Sequence, residues 1–148
     1  MTRRVVLVLA VITAVALAGC GSGDSTMNNA QTAQAELAAA LRDTPVPPGT
    51  TLTVSIPDKN GTYESGYGTI LVQGAAVCKW FEFWLAGLAS SRPQDVALAS
   101  TTATKFPSWE IYRHADASYR QLVDGVVADA NLGDPGPMQR FVSANCGG

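Results

Sequence analysis

Apolar residues recur at helical spacing along most of the chain after residue 29. In the segment 29–42, for example, Ala30, Ala33, Leu37 and Leu41 fall on one face of a helix, and a proline-rich stretch follows. Later segments show the same apolar spacing or contain residues that are typical of a helix start. The segments predicted as helices cover residues 29–42, 77–88, 91–105, 117–133 and 134–146.

The segment 77–88 has the heaviest apolar face among these helices. A helical wheel places its tryptophans and several aliphatic residues within one arc, with charged residues on the opposite side. Phe83 falls about 60° beyond Trp80, outside that arc, so it either extends the buried face or lies exposed. The helix can begin as early as Gly68, or residues 68–74 can form a separate strand.

Capping residues indicate where the later helices begin and end. The segment Ser91–Gln94 resembles a capping box, with a hydroxyl at the cap and a proline in the first turn, and the helix after it extends to about Lys105. Asp116 is a predicted N-cap, and Gly133 is predicted to terminate the same helix. Asp134 is predicted to cap the last helix, whose first turn contains a proline.

One stretch alternates apolar and polar residues as a strand does. Leu52, Val54 and Ile56 alternate with threonine and serine, and the turn-forming sequence Asp58–Gly61 follows. The chain is therefore predicted to be mainly α, a small helical bundle with one short β-hairpin, and an α+β fold is the alternative. Its 148 residues and 47% hydrophobic content suit a single domain with its own core.

The first twenty residues follow a different pattern. Arg3 and Arg4 precede an apolar run that extends from Val5 to Ala18 and is interrupted only once, by a threonine. A membrane-spanning helix needs about 20 apolar residues, whereas this run has 14. Positive residues, a short apolar run and small residues, in this order, predict a secretory signal peptide.

The tract Leu17–Cys20 resembles the lipobox of bacterial lipoprotein signal peptides. The resemblance implies that Cys20 carries acyl chains, that residues 1–19 are cleaved, and that the protein is anchored on the extracytoplasmic face of the cell membrane. Residues 20–30 are then the lipidated cysteine and a flexible tether, and residues 31–148 form a single extracytoplasmic domain. The alternative is an ordinary cleaved signal that leaves Cys20 as a free or disulfide-bonded thiol.

Two other cysteines, Cys78 and Cys146, lie on the apolar faces of predicted helices. Because extracytoplasmic compartments permit disulfides, these two residues are predicted to pair and to join the C-terminus to the tryptophan-rich helix. The alternative is two reduced, buried thiols. The chain has no Cys-x-x-Cys pair that would indicate a thiol-exchange enzyme.

Charge and motifs argue against several functional classes. From Cys20 onward the chain has eight basic and twelve acidic residues, a net charge of −4, without the clustered basic face that nucleic-acid binding needs. A single histidine and no closely spaced cysteines give no zinc motif, and Asp129–Asp134 has the wrong spacing for a calcium loop. No phosphate-binding or dinucleotide-binding glycine motif is present, so no metal and no cofactor is predicted.

Nucleophilic catalysis needs a base, and His114 is the only histidine in the sequence. It lies near Glu110 and Asp116, so a Ser-His-Asp arrangement is conceivable. No nucleophile-elbow motif accompanies it. A small cell-envelope hydrolase using His114 is therefore the alternative function, and catalysis itself stays an open question.

Aromatic residues outside the apolar arcs are the remaining candidates for function. Tyr63 and Tyr67 lie in a glycine-containing loop, and Phe83 falls outside the main apolar arc. Exposed aromatic residues often anchor interfaces, so these three residues are predicted to contact a partner. The function predicted from the sequence is a lipid-anchored cell-envelope protein that acts as a binding or interaction module for an envelope protein or a small ligand.

Overall fold

The computed structural model describes residues 26–147, and these residues form a mainly helical fold that confirms the predicted fold class. Among residues 26–147, none of the helices combines the length and the apolar character that a transmembrane span requires. The predicted signal peptide and Cys20 lie outside the described residues. The described elements are β1 (Met27–Asn29), α1 (Ala30–Asp43), β2 (Thr62–Glu64), α2 (Tyr67–Ala89), α3 (Pro93–Ala103), a 3₁₀ turn (Phe106–Ser108), α4 (Glu110–His114), α5 (Ala117–Asn131) and α6 (Gly136–Asn145).

Capping residues set the ends of α1 and α5. Asn29 Oδ1 accepts the backbone N–H of Thr32 at 2.9 Å, and Asp116 Oδ1 accepts the backbone N–H of Tyr119 at 2.8 Å. Gly133 follows α5 with a φ of 86°, and its N–H and that of the next residue donate to carbonyls of the last turn. Both ends of α5 therefore match the sequence prediction.

The predicted capping box at Ser91–Gln94 is wrong. Ser91 closes α2 instead, because its N–H donates to the Leu88 carbonyl at 3.1 Å and the N–H of Arg92 donates to the Gly87 carbonyl at 2.8 Å. This paired closure places Ser91 in the left-handed region, at a φ of 53°, where a glycine is more usual. The residue that precedes α3 is Arg92, and its side chain makes no capping hydrogen bond.

The starts of α2 and α6 resolve two further questions from the sequence. α2 is continuous from Tyr67 to Ala89, so residues 68–74 are helical and do not form a separate strand. α6 begins at Gly136, and the Asp134 carboxylate accepts the N–H of Gly136 at 2.9 Å. Asp134 therefore satisfies the first helical N–H, but the N-cap position is Pro135 and not Asp134, so the predicted start of this helix is wrong by one residue.

The strand pair forms elsewhere than the alternation predicts. β1 and β2 pair antiparallel, with Asn28 opposite Tyr63, whereas residues 51–56 form no strand. The alternating apolar residues of that segment pack against helices, which offer no free strand edge for pairing. The turn after it is closed by the N–H of Gly61, which donates to the Asp58 carbonyl at 3.2 Å. The Tyr63 hydroxyl reinforces it, because it accepts the N–H of Asp58 at 2.9 Å and donates to the Asp58 carbonyl at 2.5 Å.

The larger core is aromatic and surrounds the C-terminal half of α2. Trp80, Phe81 and Trp84 are each less than 5% exposed, and they pack with residues of α3, the 3₁₀ turn, α5 and α6. Both indole N–H groups are satisfied, because Trp80 donates to a backbone carbonyl at 2.9 Å and Trp84 donates to a serine hydroxyl at 3.1 Å. The predicted disulfide between Cys78 and Cys146 is confirmed, with a Cα–Cα distance of 5.5 Å.

The smaller core lies where α1 crosses the N-terminal half of α2. A Cβ atom at Gly68 would lie 2.3 Å from the carbonyl oxygen of Ala33 and 2.5 Å from the backbone nitrogen of Leu37, so only glycine permits this approach. The Glu36 carboxylate accepts the N–H groups of Gly66 at 3.1 Å and Gly68 at 3.3 Å. A side chain of α1 therefore caps the start of α2.

Candidate binding cleft

A cleft with a volume of about 460 Å³ opens beside the N-terminal half of α2. Residues of β2, α2, α4 and the start of α5 form its walls. Apolar and charged side chains meet there, which is the usual composition of a ligand site. The lining residues are Glu64, Ile70, Ile111, His114, Ala115, Asp116 and Tyr119.

Two contacts hold α4 against α2 and position the apolar wall of the cleft. The N–H of Ile111 donates to the side-chain oxygen of Gln73 at 3.0 Å. Ile111 also lies directly over Gly74, where a Cβ atom would be 3.1 Å from its terminal methyl carbon. Because Gly74 has no side chain, Ile111 can approach the backbone of α2 and leave the space next to Ile70 open.

Asp116 provides a fixed negative charge at the cleft. Its carboxylate accepts the Ser118 hydroxyl at 2.6 Å and the N–H of Tyr119 at 2.8 Å. The hydrogen bond from Ser118, followed by the backbone bond from Tyr119, lowers the pKa of Asp116 below its ordinary value. The carboxylate therefore stays ionised at neutral pH while it caps α5.

Tyr119 connects the cleft to the aromatic core. Its ring is half-buried, and its centroid lies 6.5 Å from that of Phe141 in an edge-on arrangement. Burial raises the pKa of Tyr119 above its ordinary value, so the phenol stays protonated at neutral pH. Tyr119 thus gives the cleft a rigid aromatic wall.

His114 lies at the edge of the cleft with an exposed side chain. Its Nε2 atom is 3.1 Å from a carboxylate oxygen of Glu110, and Arg113 contacts the other oxygen of the same carboxylate. Among residues 26–147, no hydroxyl group is hydrogen-bonded to His114, and the nearby Ser118 hydroxyl donates to Asp116. The described residues therefore pair the histidine with a carboxylate but supply no aligned nucleophile.

The residues predicted to contact a partner lie in two separate places. The rings of Tyr63 and Tyr67 stack with centroids 4.7 Å apart, and both are half-buried against the smaller core. Phe83 is also half-buried, and its ring meets Trp80 edge-on at 5.9 Å. Phe83 follows Tyr67 by sixteen residues on α2, which separates them by about 24 Å along the helix axis. The structure brings the two tyrosines together but does not place Phe83 beside them.

Most of the cleft residues were not identified as candidates from the sequence. Asp116 was identified as a helix cap, and His114 as the candidate base of the alternative hydrolase, but nothing in the sequence connected them with Glu64 or Ile70. Ile111 lies in the five-residue helix α4, which is too short to give a recognisable periodicity. The cleft becomes visible only when β2, α2 and α4 are brought together.

Protein-family models, curated proteins and solved structures give no match to this chain. The cleft is therefore interpreted from its own residues and geometry. No group of three or more His, Cys, Asp or Glu side chains among residues 26–147 is arranged to hold a metal ion. A second cleft, of about 280 Å³, lies beside the Cys78–Cys146 disulfide and is lined mainly by polar and small residues.

Proposed function

We propose that the protein is a lipid-anchored cell-envelope binding module and that the cleft beside α2 is its ligand site. The observation that supports this most strongly is a volume of about 460 Å³ in which Ile70, Ile111 and Tyr119 meet the ionised Asp116. This volume lies within the range of about 300 to 1,000 Å³ that small-molecule sites occupy. Apolar surface supplies binding energy, and the polar groups orient the ligand.

The proposed anchor brings this cleft close to the membrane. Thr26 is the first described residue, and Ser65, which directly follows β2, donates its N–H to the Thr26 carbonyl at 2.9 Å. Six peptide units separate Cys20 from Thr26, and they span at most about 21 Å when fully extended. Glu64 is part of both β2 and the cleft lining. A lipidated Cys20 therefore keeps one wall of the cleft near the bilayer surface.

The binding proposal can be tested with isoleucine methyl NMR. After removal of the predicted signal peptide the chain contains only Ile56, Ile70 and Ile111. Two of these line the cleft, while Ile56 is buried in the smaller core and serves as an internal control. We expect small aromatic compounds from a set of mixed charge to shift the Ile70 and Ile111 signals and to leave the Ile56 signal in place.

A cleft-filling variant provides the matched control for that titration. Ala115→Phe places a bulky ring in the cleft, whereas Ala97→Phe adds the same ring at an exposed position on α3. We expect the first variant to abolish the ligand-induced shifts and the second to retain them. If no compound of any charge shifts the two cleft methyls of the wild-type protein, the binding proposal is wrong.

The anchor has its own test. Cys20→Ser removes the only residue that the lipobox resemblance assigns as the acylation site, so we expect an unprocessed precursor or a released protein. Intact-mass measurement of membrane fractions compares the variant with the wild type. A mature wild-type protein without added lipid mass would contradict the lipoprotein proposal.

A small cell-envelope hydrolase using His114 is the second candidate, and the contact with Glu110 favours it because a carboxylate can orient an imidazole. The binding proposal predicts that nitrophenyl ester hydrolysis by the wild type is no faster than by His114→Ala. A loss of about 100-fold or more in the variant would be typical of general acid–base catalysis and would support the hydrolase.

A further inference from the structure

We infer that the cleft selects an organic cation that carries an apolar group. This inference rests on the proposed binding function and adds the chemical class of the ligand. The features that carry it are two carboxylates, Glu64 and Asp116, which line the same cleft as Ile70, Ile111 and Tyr119.

The charges of the lining favour a cation. Glu64 and Asp116 come from different elements, β2 and the start of α5, and the lining contains no lysine or arginine. His114 is the single basic group in the lining, and the Glu110 carboxylate lies against it. Arg120 interacts electrostatically with Asp116 but does not line the cleft. A positively charged ligand therefore still meets two carboxylates in the lining, whereas an anionic ligand would be repelled by both.

The apolar lining residues favour a ligand that carries an apolar group in addition to its positive charge. Ile70 and Ile111 are half-buried and border the open space, so a hydrophobic group placed there removes their exposed surface from water. Tyr119 adds an aromatic wall, and aromatic rings attract organic ammonium groups. An ammonium or quaternary ammonium group attached to a small apolar body satisfies both parts of the lining.

Such a group can come from a free amine or from the headgroup of an amine-bearing lipid. The proposed anchor keeps Thr26, which is hydrogen-bonded to the residue after Glu64, within about 21 Å of the lipidated cysteine. Free amines and lipid headgroups can therefore both reach the cleft. The chemistry recognised in the cleft is the same in the two cases, and the experiment separates them.

The closing experiment compares three probes that share one aromatic body. Phenethylammonium is positive, phenethyl alcohol is neutral and phenylacetate is negative. Each is titrated into the mature lipoprotein in phosphatidylglycerol nanodiscs, and the Ile70 and Ile111 methyl signals are followed against Ile56. We expect phenethylammonium to bind roughly tenfold more tightly than phenylacetate, with the alcohol between them.

Charge-neutralising variants test whether Glu64 and Asp116 cause the preference for the cationic probe. Glu64→Gln removes a charge with little change of shape, and Asp116→Asn does the same while keeping a residue that caps helices well. Each change is expected to weaken phenethylammonium about two- to fivefold, as loss of an exposed ion pair does, and to weaken the alcohol less. Asp43→Asn removes an exposed charge outside the cleft lining and is the matched control. Thermal melting verifies that each variant is folded.

Repeating the measurement without a probe shows whether the bound cation is a lipid headgroup or a free amine. Methyl shifts at Ile70 and Ile111 when phosphatidylethanolamine replaces phosphatidylglycerol in the nanodisc assign the site to a lipid headgroup. Binding of phenethylammonium without such shifts assigns it to a free cation.

The inference is overturned if phenylacetate or the alcohol binds as tightly as phenethylammonium, or if both carboxylate variants leave the affinity for the cation unchanged. Shifts of the cleft methyls by those other probes would still support the binding function. Failure of all probes to shift the two methyls would reject the binding function itself, so the two failures are distinguishable.

Discussion

The two halves of α2 are packed in opposite ways. In the C-terminal half, large aromatic side chains such as Trp80 and Trp84 are almost fully buried among four other elements. In the N-terminal half, Gly68 permits contact with the backbone of α1, Gly74 lies beneath Ile111, and Ile70 borders an open cleft. One half therefore stabilises the fold through side-chain burial, while the other uses the absence of side chains to form a site.

This difference predicts opposite responses to substitution. Removing side-chain volume should damage the aromatic half, because a cavity remains where a ring was buried. Adding volume at Gly68 or Gly74 should damage the N-terminal half, because a Cβ atom there would lie within about 3 Å of a neighbouring element. Small substitutions around the cleft should change the free energy of unfolding little and should mainly change ligand affinity.

The largest effect is expected from Trp84→Ala. The ring is 2% exposed and its N–H donates to Ser100, so its loss should lower the free energy of unfolding by about 3 to 5 kcal/mol. Phe83→Ala is the control on the same helix. Loss of its half-buried ring should lower the free energy of unfolding by only about 1 to 2 kcal/mol. Denaturant unfolding measures both, and equal losses would mean that Phe83 is as much a core residue as Trp84.

The disulfide joins the middle of α2 to the end of α6, and its loss should have the next largest effect. Cys78 and Cys146 are 68 residues apart in sequence, and a loop of this length predicts a chain-entropy contribution of about 4 kcal/mol. Cys146→Ser should therefore lower the melting temperature of the oxidised protein. A melting temperature equal to that of the wild type would show that the bond contributes little, and non-reducing peptide mapping verifies that the wild-type bond is present.

Two glycines in helices should respond in opposite directions to alanine. Gly68→Ala places a methyl group against the backbone of α1 and should cost about 1 to 3 kcal/mol. Gly125→Ala on α5 has nothing within 4 Å of the added carbon and should stabilise by about 0.5 to 1 kcal/mol through helix propensity. Stabilisation by both substitutions would contradict the close crossing of α1 and α2.

The smallest effect on stability is expected at Asp116. Its pKa is lowered in the folded protein, so its contribution to stability is present above the unfolded pKa and is lost as pH falls through the folded value. Asp116→Asn should retain the cap at neutral pH and should lose less stability than the wild type as the pH falls. Asp116→Ala removes the cap and should be less stable than Asp116→Asn at neutral and at acid pH. Thermal melts across the acid range measure this, and identical acid profiles for Asp116→Asn and the wild type would contradict it.

Features of the fold that depend on local signals could be predicted from the sequence. α1 has periodic apolar residues, and α5 has both periodic apolar residues and capping residues. The pairing of Cys78 and Cys146 was predicted from their positions on apolar faces together with the inferred extracytoplasmic compartment. Ser91 was misassigned because the same hydroxyl residue is consistent with starting one helix or ending the previous one. Only the backbone hydrogen bonds of the α2 end decide between the two.

Features that depend on distant contacts could not be predicted. β1 has three residues and no alternation, so its pairing with β2 leaves no trace in the local pattern. The role of Gly68 is defined by Ala33 and Leu37 on another helix. The cleft similarly requires side chains from four elements, and its short helix α4 gives no periodic signal.

The position of a bound probe tests the cleft most directly. Intermolecular NOEs can be measured between the aromatic protons of phenethylammonium and the isoleucine methyl groups of the mature lipoprotein. Contacts to Ile70 and Ile111, and none to the buried Ile56, are the predicted result, because the first two line the cleft and the third does not. A bound probe that shows NOEs to neither Ile70 nor Ile111 would contradict the assignment of the cleft as the ligand site.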